Sequence, residues 1–309
     1  MPVILMLKIL ITGGAGFIGS HIADLFIKNN HDVIIMDNLA NGNKNNINSK
    51  AKFYEADILD NLDEIFKKEK FDVLIHNAAL VDANESISKP KAYEKVNVKG
   101  TVNLLEYCRK FNVKKFIYAS SNAVYGNPEY LPCDEKHPTN PINPYGKTKL
   151  EAENKIIDYS NKYGVKYTIL RYGNVYGPRQ DPIKGGVIIK FLSRIMNNKN
   201  PIIFGDGTQT RDFLFVEDAA LATLLALETN NKIFNIASGK QTSINELLEE
   251  MKKLFDKKIK IQHSKALKEI KNTYLDISLA KKVLQWNPKT ELSEGIKRII
   301  QFTKTNSNL

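Results

Sequence analysis

Cysteine is scarce in this chain: 309 residues hold two, Cys108 and Cys133. Neither belongs to a Cys-x-x-Cys or His-x-x-His pattern, which excludes a zinc ribbon and a disulfide-stapled scaffold. Both are expected as reduced thiols of a cytoplasmic protein, in the core or a loop. The five histidines include no pair at ligand spacing, so no metal is expected. His21, His31, His137 and His263 are expected on the surface or in loops; His76 fits packing or a ligand contact equally. Long apolar runs are absent too. The opening VILMLKIL spans eight residues, is broken by Lys8 and runs straight into a glycine turn. It reads as a buried first strand, and neither a signal peptide nor a membrane span is expected.

Acidic residues are outnumbered, 34 against 45 Lys and Arg, for a net charge of +11. The lysines are spread along the chain and mixed with acids, as in KNTYLDISLAKK, with no basic stripe carrying interleaved aromatics. Nucleic-acid binding is not expected; a solvated basic surface receptive to anionic small ligands is. With 42% apolar and 26% charged residues the composition is that of a soluble globular protein able to bury a sizeable core.

The first half alternates β-rich runs with helical patterns. Strands are expected at 8–12, 32–37, 52–55, 73–76, 115–120 and 167–171. That alternation predicts an α/β fold, a doubly wound parallel sheet covered by helices on both faces, over residues 1–173. Beyond Gly173 the pattern changes to a Gly, Pro and Asn cluster, GNVYGPRQDPIKGG, then a helix at 187–197. Short strands follow near Ile202 and Phe213, with helices near Glu217, Ile244, Ser278 and Ser293. Residues 174–309 are expected to form mainly a smaller α/β substrate lobe, with some segments returning to the first domain.

Two motifs carry the chemistry. In TGGAGFIGSH, Gly13, Gly16 and Gly19 fit G-x-x-G-x-x-G between a strand and a helix whose apolar face is Ile18, Ile22, Leu25 and Phe26. Glycine permits a sharp turn and a close backbone approach to a pyrophosphate, whose charge then sits on free amides at the helix start. Asp37 ends the second strand, 18 residues after Gly19. A carboxylate there accepts from the adenosine ribose and repels a 2′-phosphate, which favours NAD over NADP. Asp57 ends the third strand and fits either an adenine contact or a helix cap. The second motif is Tyr145 with Lys149, at i and i+4 after Pro144, so their side chains share a face. A free phenol, with a pKa of about 10, is a poor base at neutral pH. A nearby ammonium and a positive nicotinamide ring both favour the phenolate. Ser121 ends a strand where its hydroxyl can share the substrate's proton. Taken singly, these residues fit an exposed helical tyrosine and a turn serine equally; taken with the glycine turn they favour a redox enzyme.

The chain resembles the extended short-chain dehydrogenase/reductases, and within them the nucleotide-sugar epimerases of the UDP-glucose 4-epimerase type. The matching pieces are TGGAGFIGSH, MDNL, HNAAL, NVKGT, SSNAVYG, PYGKTK, LRYGNVYGPRQ and GDGTQTRDFLFVEDAA, in the family's order over almost the whole length. The resemblance implies a Rossmann domain holding NAD and a second lobe holding a UDP-sugar. It implies a Ser121, Tyr145 and Lys149 triad, with Lys149 also on the nicotinamide ribose. Cofactor contacts are implied at Gly13, Gly16, Phe17, Ile18, Asp37, Asn38, Asp57, Ile58, Ala78, Asn97, Tyr145 and Lys149, with Asn97 also supporting the active-site helices. Substrate contacts are implied at Ser121, Asn122, Tyr145, Asn174, Val187 and Arg211. The implied reaction inverts carbon 4 of UDP-glucose or UDP-galactose through a 4-keto sugar. A homodimer is implied through helices at about 91–109 and 149–161.

Sugar 4,6-dehydratases of this kind carry an acidic pair after the serine's position; Asn122 and Ala123 stand there, which ranks dehydratase below epimerase. Such epimerases also carry R-P-G-[DE] about ten residues before an Asp-Ile-Ser run. Here Ala266, Leu267, Lys268 and Glu269 align, so the diphosphate arginine is absent, and Lys265 or Lys268 could only replace it as a point charge. Thr273 stands where a bulky residue in some relatives restricts the sugar's 2-substituent, which leaves room for the N-acetylhexosamine pair. The alternatives are another nucleotide-sugar enzyme (reductase, decarboxylase or dehydratase) and a non-catalytic dinucleotide sensor.

Overall fold

The central strands of the main sheet are short apolar runs buried on both faces, as parallel strands between two helical layers must be, whereas the edge strand at Lys52–Glu55 has no buried residue. The computed structural model describes residues 6–255, 258–266 and 270–306. Its strands are β1 (Lys8–Thr12), β2 (Asp32–Asp37), β3 (Lys52–Glu55), β4 (Val73–His76), β5 (Lys115–Ser121), β6 (Lys166–Tyr172), β7 (Asn174–Tyr176), β8 (Ile202–Phe204), β9 (Thr210–Arg211), β10 (Phe213–Phe215), β11 (Lys232–Ile236), β12 (Thr242–Ser243) and β13 (Gln262–Ser264). The helices are α1 (Phe17–Lys28), α2 (Asp63–Glu69), α3 (Ala83–Ser88), α4 (Pro90–Tyr93), α5 (Gly100–Lys110), α6 (Pro144–Tyr163), α7 (Val187–Met196), α8 (Val216–Leu225), α9 (Ile244–Lys252), α10 (Ser278–Leu284) and α11 (Leu292–Asn306).

Seven strands form one parallel sheet in the order β11-β6-β5-β4-β1-β2-β3. The chain winds outward from β1 through β2 and β3, returns to β4, and winds the other way through β5, β6 and β11. The reversal lies between β1 and β4, so a crevice opens beyond their carboxyl ends, at Thr12–Gly13 and His76–Asn77. In open sheets of this kind ligands bind at that switch point.

The two faces bury separate cores. One holds Ile22, Ala23 and Phe26 of α1 with Ala219, Ala220 and Ala222 of α8. The other holds Leu104 and Leu105 of α5 with Ala152 and Ile156 of α6. A third, away from the sheet, gathers Ile188 and Leu192 of α7, Leu247 and Leu248 of α9, and Ile296 and Ile299 of α11. The chain does not leave the sheet at residue 173. β11 pairs with β6, and Phe234, Ile236, Leu275, Ala280 and Trp286 lie in the same core as α1. These residues cover the β6 edge and the α1 face of the sheet. The start of the expected first strand, Val3 to Leu5, lies outside the described residues.

Several single residues differ from the sequence reading. His31 and His137 lie in loops, as expected, but are buried there: His31 Nδ1 accepts from the Leu7 amide at 3.4 Å, and His137 Nε2 from the Glu129 amide at 2.9 Å. His21 is half-buried against the Pro178 carbonyl, and burial pushes its imidazole down to about 4. Only His263 is exposed among the four. Both thiols are free and buried. Among the described residues no group of His, Cys, Asp and Glu could hold a metal, and no helix is long and apolar enough to cross a membrane.

Candidate active site

The turn after β1 is shaped by its glycines. Gly13 has φ +69°, and a Cβ on it would lie 2.7 Å from the Ala78 nitrogen; on Gly19 a Cβ would lie 2.2 Å from the Gly13 carbonyl oxygen. Any other residue there pushes β1, β4 and α1 apart. At the start of α1, Gly16 offers no side-chain cap and the first turn carries no acid, so the Phe17 and Ile18 end presents amides to an anion. Beside it the carboxylate of Asp37, 8% exposed, accepts from the Ala15 amide at 3.0 Å and the Leu39 amide at 2.9 Å. That leaves lone pairs for ribose hydroxyls. Asn38 donates to Asp57 at 2.7 Å, and Asp57 also accepts from the Leu59 amide, so Asp57 builds a local turn instead of capping a helix. Ile58 packs against Gly100, where a Cβ would meet it at 2.4 Å. The amide group of Asn77, just past β4, is buried with neither its oxygen nor its nitrogen partnered among the described residues. A buried amide without protein partners, glycines that admit close approach and uncapped helix amides together fit a bound dinucleotide.

His76 is a packing residue. Its ring bridges Thr12 Oγ1 at 2.7 Å and Thr101 Oγ1 at 3.0 Å, and burial with the Lys149 charge pushes it down to about 3, so it is neutral. Asn97 lies in a wide helical turn at Glu94–Lys99, and its side chain is occupied by protein: it accepts from the Leu80 amide and donates to the Leu80 carbonyl and to Thr148 Oγ1. It ties the segment after β4 to the residue preceding Lys149.

Helix α6 begins where Pro144 stands at N1 and the Asn143 side chain accepts from the Gly146 amide, and ends at Gly164 with φ +74°. One stripe of it faces the end of β5. Lys149, 3% exposed, donates to the Ala119 carbonyl at 2.8 Å and stands 4.8 Å from the Tyr118 ring centre. Burial pushes it down to about 7, against the pull of Glu153. Tyr145 is half-buried; burial pushes its phenol up, and the Ser121 hydroxyl, rather than Lys149, is the protein group that opposes the rise. Ser121 Oγ also accepts from the Ala123 amide at 3.2 Å, closing the turn after β5.

Across the crevice the Asn122 side chain donates to Asn174 Oδ1 at 3.4 Å, which brings two expected substrate contacts together from β5 and β7. Val187 opens α7 behind Gly186. Arg211 sits on β9, its guanidinium donating to the Thr210 carbonyl at 2.8 Å and the Lys271 carbonyl at 3.4 Å. Ala266 is exposed and follows β13, which pairs with β8; a Cβ on Gly205 would lie 3.3 Å from the Ala266 Cβ. Leu267, Lys268 and Glu269 lie outside the described residues. Thr273 is buried.

Sequence reasoning passed over Asn77, Glu153 and Arg171. Asn77 was visible in HNAAL, next to the quoted Ala78. Glu153 was visible as the next step of the Tyr145, Lys149 stripe; its partner Arg171, 18 residues on, was not.

A model of the NAD dependent epimerase/dehydratase family matches residues 9–237. A Methanocaldococcus jannaschii protein provisionally named a UDP-glucose 4-epimerase is 50% identical over 304 residues, 97% of this chain and 99% of the relative. The crystal structure of UDP-glucose 4-epimerase from Thermotoga maritima, with UDP-glucose, superposes with a TM-score of 0.94 at 39% identity, over 97% of this chain and 100% of that one. The UDP-N-acetylglucosamine 4-epimerase of Methanobrevibacter ruminantium, in complex with UDP-N-acetylmuramic acid, follows at 0.92 and 33%, over 97% and 99%. The glycine turn, the Asp37 carboxylate and the α6 stripe are thus those of a member of the NAD-dependent epimerase/dehydratase family, with NAD as its cofactor.

Proposed function

We propose that the protein is a UDP-hexose 4-epimerase acting on the UDP-glucose and UDP-galactose pair, with Ser121, Tyr145 and Lys149 at the reacting carbon. The observation that carries this reading is the stripe of α6 at the switch point, with a phenol and an ammonium one helical turn apart and a serine hydroxyl against the phenol. NAD, when bound, supplies the hydride acceptor and donor. Tyr145 takes the proton of the C4 hydroxyl and returns it after the 4-keto sugar has turned over. Ser121 shares that proton and opposes the rise of the phenol, and the Lys149 ammonium holds the nicotinamide ribose. The Asn122 and Asn174 pair and Arg211 grip the nucleotide end, while the sugar stays free to rotate.

Asn122 and Ala123 offer no carboxylate to expel water, which argues against a dehydratase. Thr273 brings the N-acetylhexosamine pair into the substrate panel. The test is incubation of purified protein with UDP-hexoses and UDP-N-acetylhexosamines, with and without added NAD. Interconversion at C4 without net cofactor use supports the reading; net NADH formation, or loss of water or carbon dioxide, replaces it with another nucleotide-sugar enzyme. By the same resemblance we propose a homodimer through α5 and α6, which sedimentation equilibrium measures directly.

A further inference from the structure

Beneath the catalytic stripe lies a second polar cluster that the reaction as proposed does not use. Glu153 follows Lys149 by four residues on α6 and is 1% exposed. Its carboxylate accepts Ser120 Oγ at 2.5 Å and two nitrogens of Arg171, Nη2 at 2.7 Å and Nε at 3.1 Å. Arg171 stands on β6 in register with Ser120 on β5 and Asn235 on β11. Its Nη1 donates to the Tyr125 hydroxyl at 3.1 Å, which donates in turn to Asn235 at 2.6 Å.

Two geometric consequences follow. Ser120 and Tyr125 bracket the turn that holds Ser121 and Asn122, and both are tied to one ion pair. The same carboxylate belongs to the helix that carries Tyr145 and Lys149. A shift of α6 against β5 would therefore strain the Ser120–Glu153 bond. Charge gives a third. The titratable groups around Lys149 are Tyr145 and Glu153 on α6, Tyr118 on β5 and His76 on β4, with Arg171 on β6 behind Glu153. His76 and Tyr118 are neutral, so Lys149, Glu153 and Arg171 sum to one positive charge, which a Tyr145 phenolate balances. Without Glu153 the sum is two, in a buried site where unpaired charge is costly.

We propose that Glu153, held by Arg171, is the positioning residue of this site: it locks the turn bearing Ser121 to the helix bearing Tyr145 and Lys149, and its charge keeps the buried cluster around Lys149 at one net positive charge instead of two. This rests on the epimerase reading for its kinetic consequences. A displacement of reacting groups by a fraction of an ångström costs about tenfold in rate. Ser120→Ala, which leaves the ion pair intact, is expected to lower kcat about tenfold with KM within about twofold and little change in Tm. Glu153→Gln is expected to move the alkaline limb of kcat to lower pH by at least about one unit, and Glu153→Asp to restore the limb while kcat stays low. A residue with only a structural role lowers Tm and leaves the limb in place. The Lys149 side chain can also be titrated without any substrate, through the 13Cε resonance of lysine-labelled protein, assigned by its loss in Lys149→Met. Its midpoint is expected to fall in Glu153→Gln by the same amount as the limb. An unmoved midpoint overturns the proposal even if the substrate proves to be something else; a moved midpoint without C4 epimerisation keeps it and discards the epimerase reading. If Glu153→Gln does not fold, Ser120→Ala decides, and wild-type kcat there overturns the proposal.

Discussion

The two ends of strand β5 each bury a lysine against them, and the two are built differently. At the first end Lys115, 6% exposed, donates to the carbonyls of Ala226, Leu227 and Thr229 and so closes the turn after α8. At the other end Lys149, 3% exposed, donates to one carbonyl among the described residues, that of Ala119, and lies against an aromatic face. Burial lowers both, Lys115 to about 8 and Lys149 to about 7. What separates them is saturation. An ammonium has three donors; the first lysine gives all of them to backbone, whereas the second keeps donors for a ligand. Burial marks both lysines as unusual, and the hydrogen-bond count separates the one whose donors are filled by backbone from the one at the proposed site.

The largest expected effect lies at the working end. Tyr145→Phe removes the proposed proton carrier, one helical turn from Lys149, and leaves the glycine turn intact. Turnover should fall by about 10²–10⁴-fold, the range for a lost general base, while NAD still copurifies. Near-normal turnover by coupled assay would take the tyrosine out of that role.

The comparison itself is tested by exchanging each lysine for methionine, which keeps the stem and deletes the charge. Lys115→Met takes a donor from three carbonyls, of which Ala226 keeps the Thr229 amide and hydroxyl and Thr229 keeps the Thr168 hydroxyl, and should cost about 1–2 kcal/mol of stability, with kcat unchanged below the melting range. Lys149→Met should do the reverse: it removes a buried ammonium whose burial is unfavourable, so stability at neutral pH should hold or rise while turnover falls at least a hundredfold. Denaturant melts and initial rates on both variants check the crossing. Equal loss of stability in the two would mean that saturation does not distinguish the ends.

The pH dependence of stability sharpens the same point. A lysine held below its usual value carries its full penalty when both folded and unfolded chains are protonated. The unfolded chain then binds more protons between about 7 and 10.5 for Lys149, so stability rises with pH across that window. One such group contributes about 1.4 kcal/mol per pH unit. The slope in urea melts between pH 7.5 and 9.5 should therefore drop by close to one proton in Lys149→Met. An unaltered slope would place the Lys149 pKa at its ordinary value.

How much of this was legible follows the same division between local and distant demands. The six strands from Lys8 to Tyr172 were placed to within one residue, because each is a short run of β-branched or aromatic residues between segments of helical or turn pattern. β11 was not: KIFNI is five residues, and its partner β6 lies some sixty positions earlier, a pairing no local pattern encodes. The glycine turn was legible because its requirement is steric and lies in consecutive residues. The Glu153–Arg171 pair was not, since only the register of β5 against β6 makes Ser120 and Arg171 neighbours. The expectation that Lys149 lowers the Tyr145 phenol also went beyond what spacing can say. One helical turn put both on a face, but the ammonium's donation to the Ala119 carbonyl is a property of the packed strand.

The smallest expected effect tests the end of the site where sequence and family part. Arg211 is fixed by β9 and its carbonyl partners, whereas the family's second diphosphate arginine is Ala266 here, exposed beside Gly205. If the segment after β13 faces the nucleotide, Ala266→Arg adds one guanidinium to a diphosphate already held from β9. Screening at an exposed position limits the gain to about 1 kcal/mol, a KM lower by about three- to tenfold, with kcat unchanged because the sugar end is untouched. A falling kcat would mean that tighter grip slows the rotation or release of the sugar. An unmoved KM would mean that this segment turns away from the diphosphate and that Arg211 carries the contact from the second lobe.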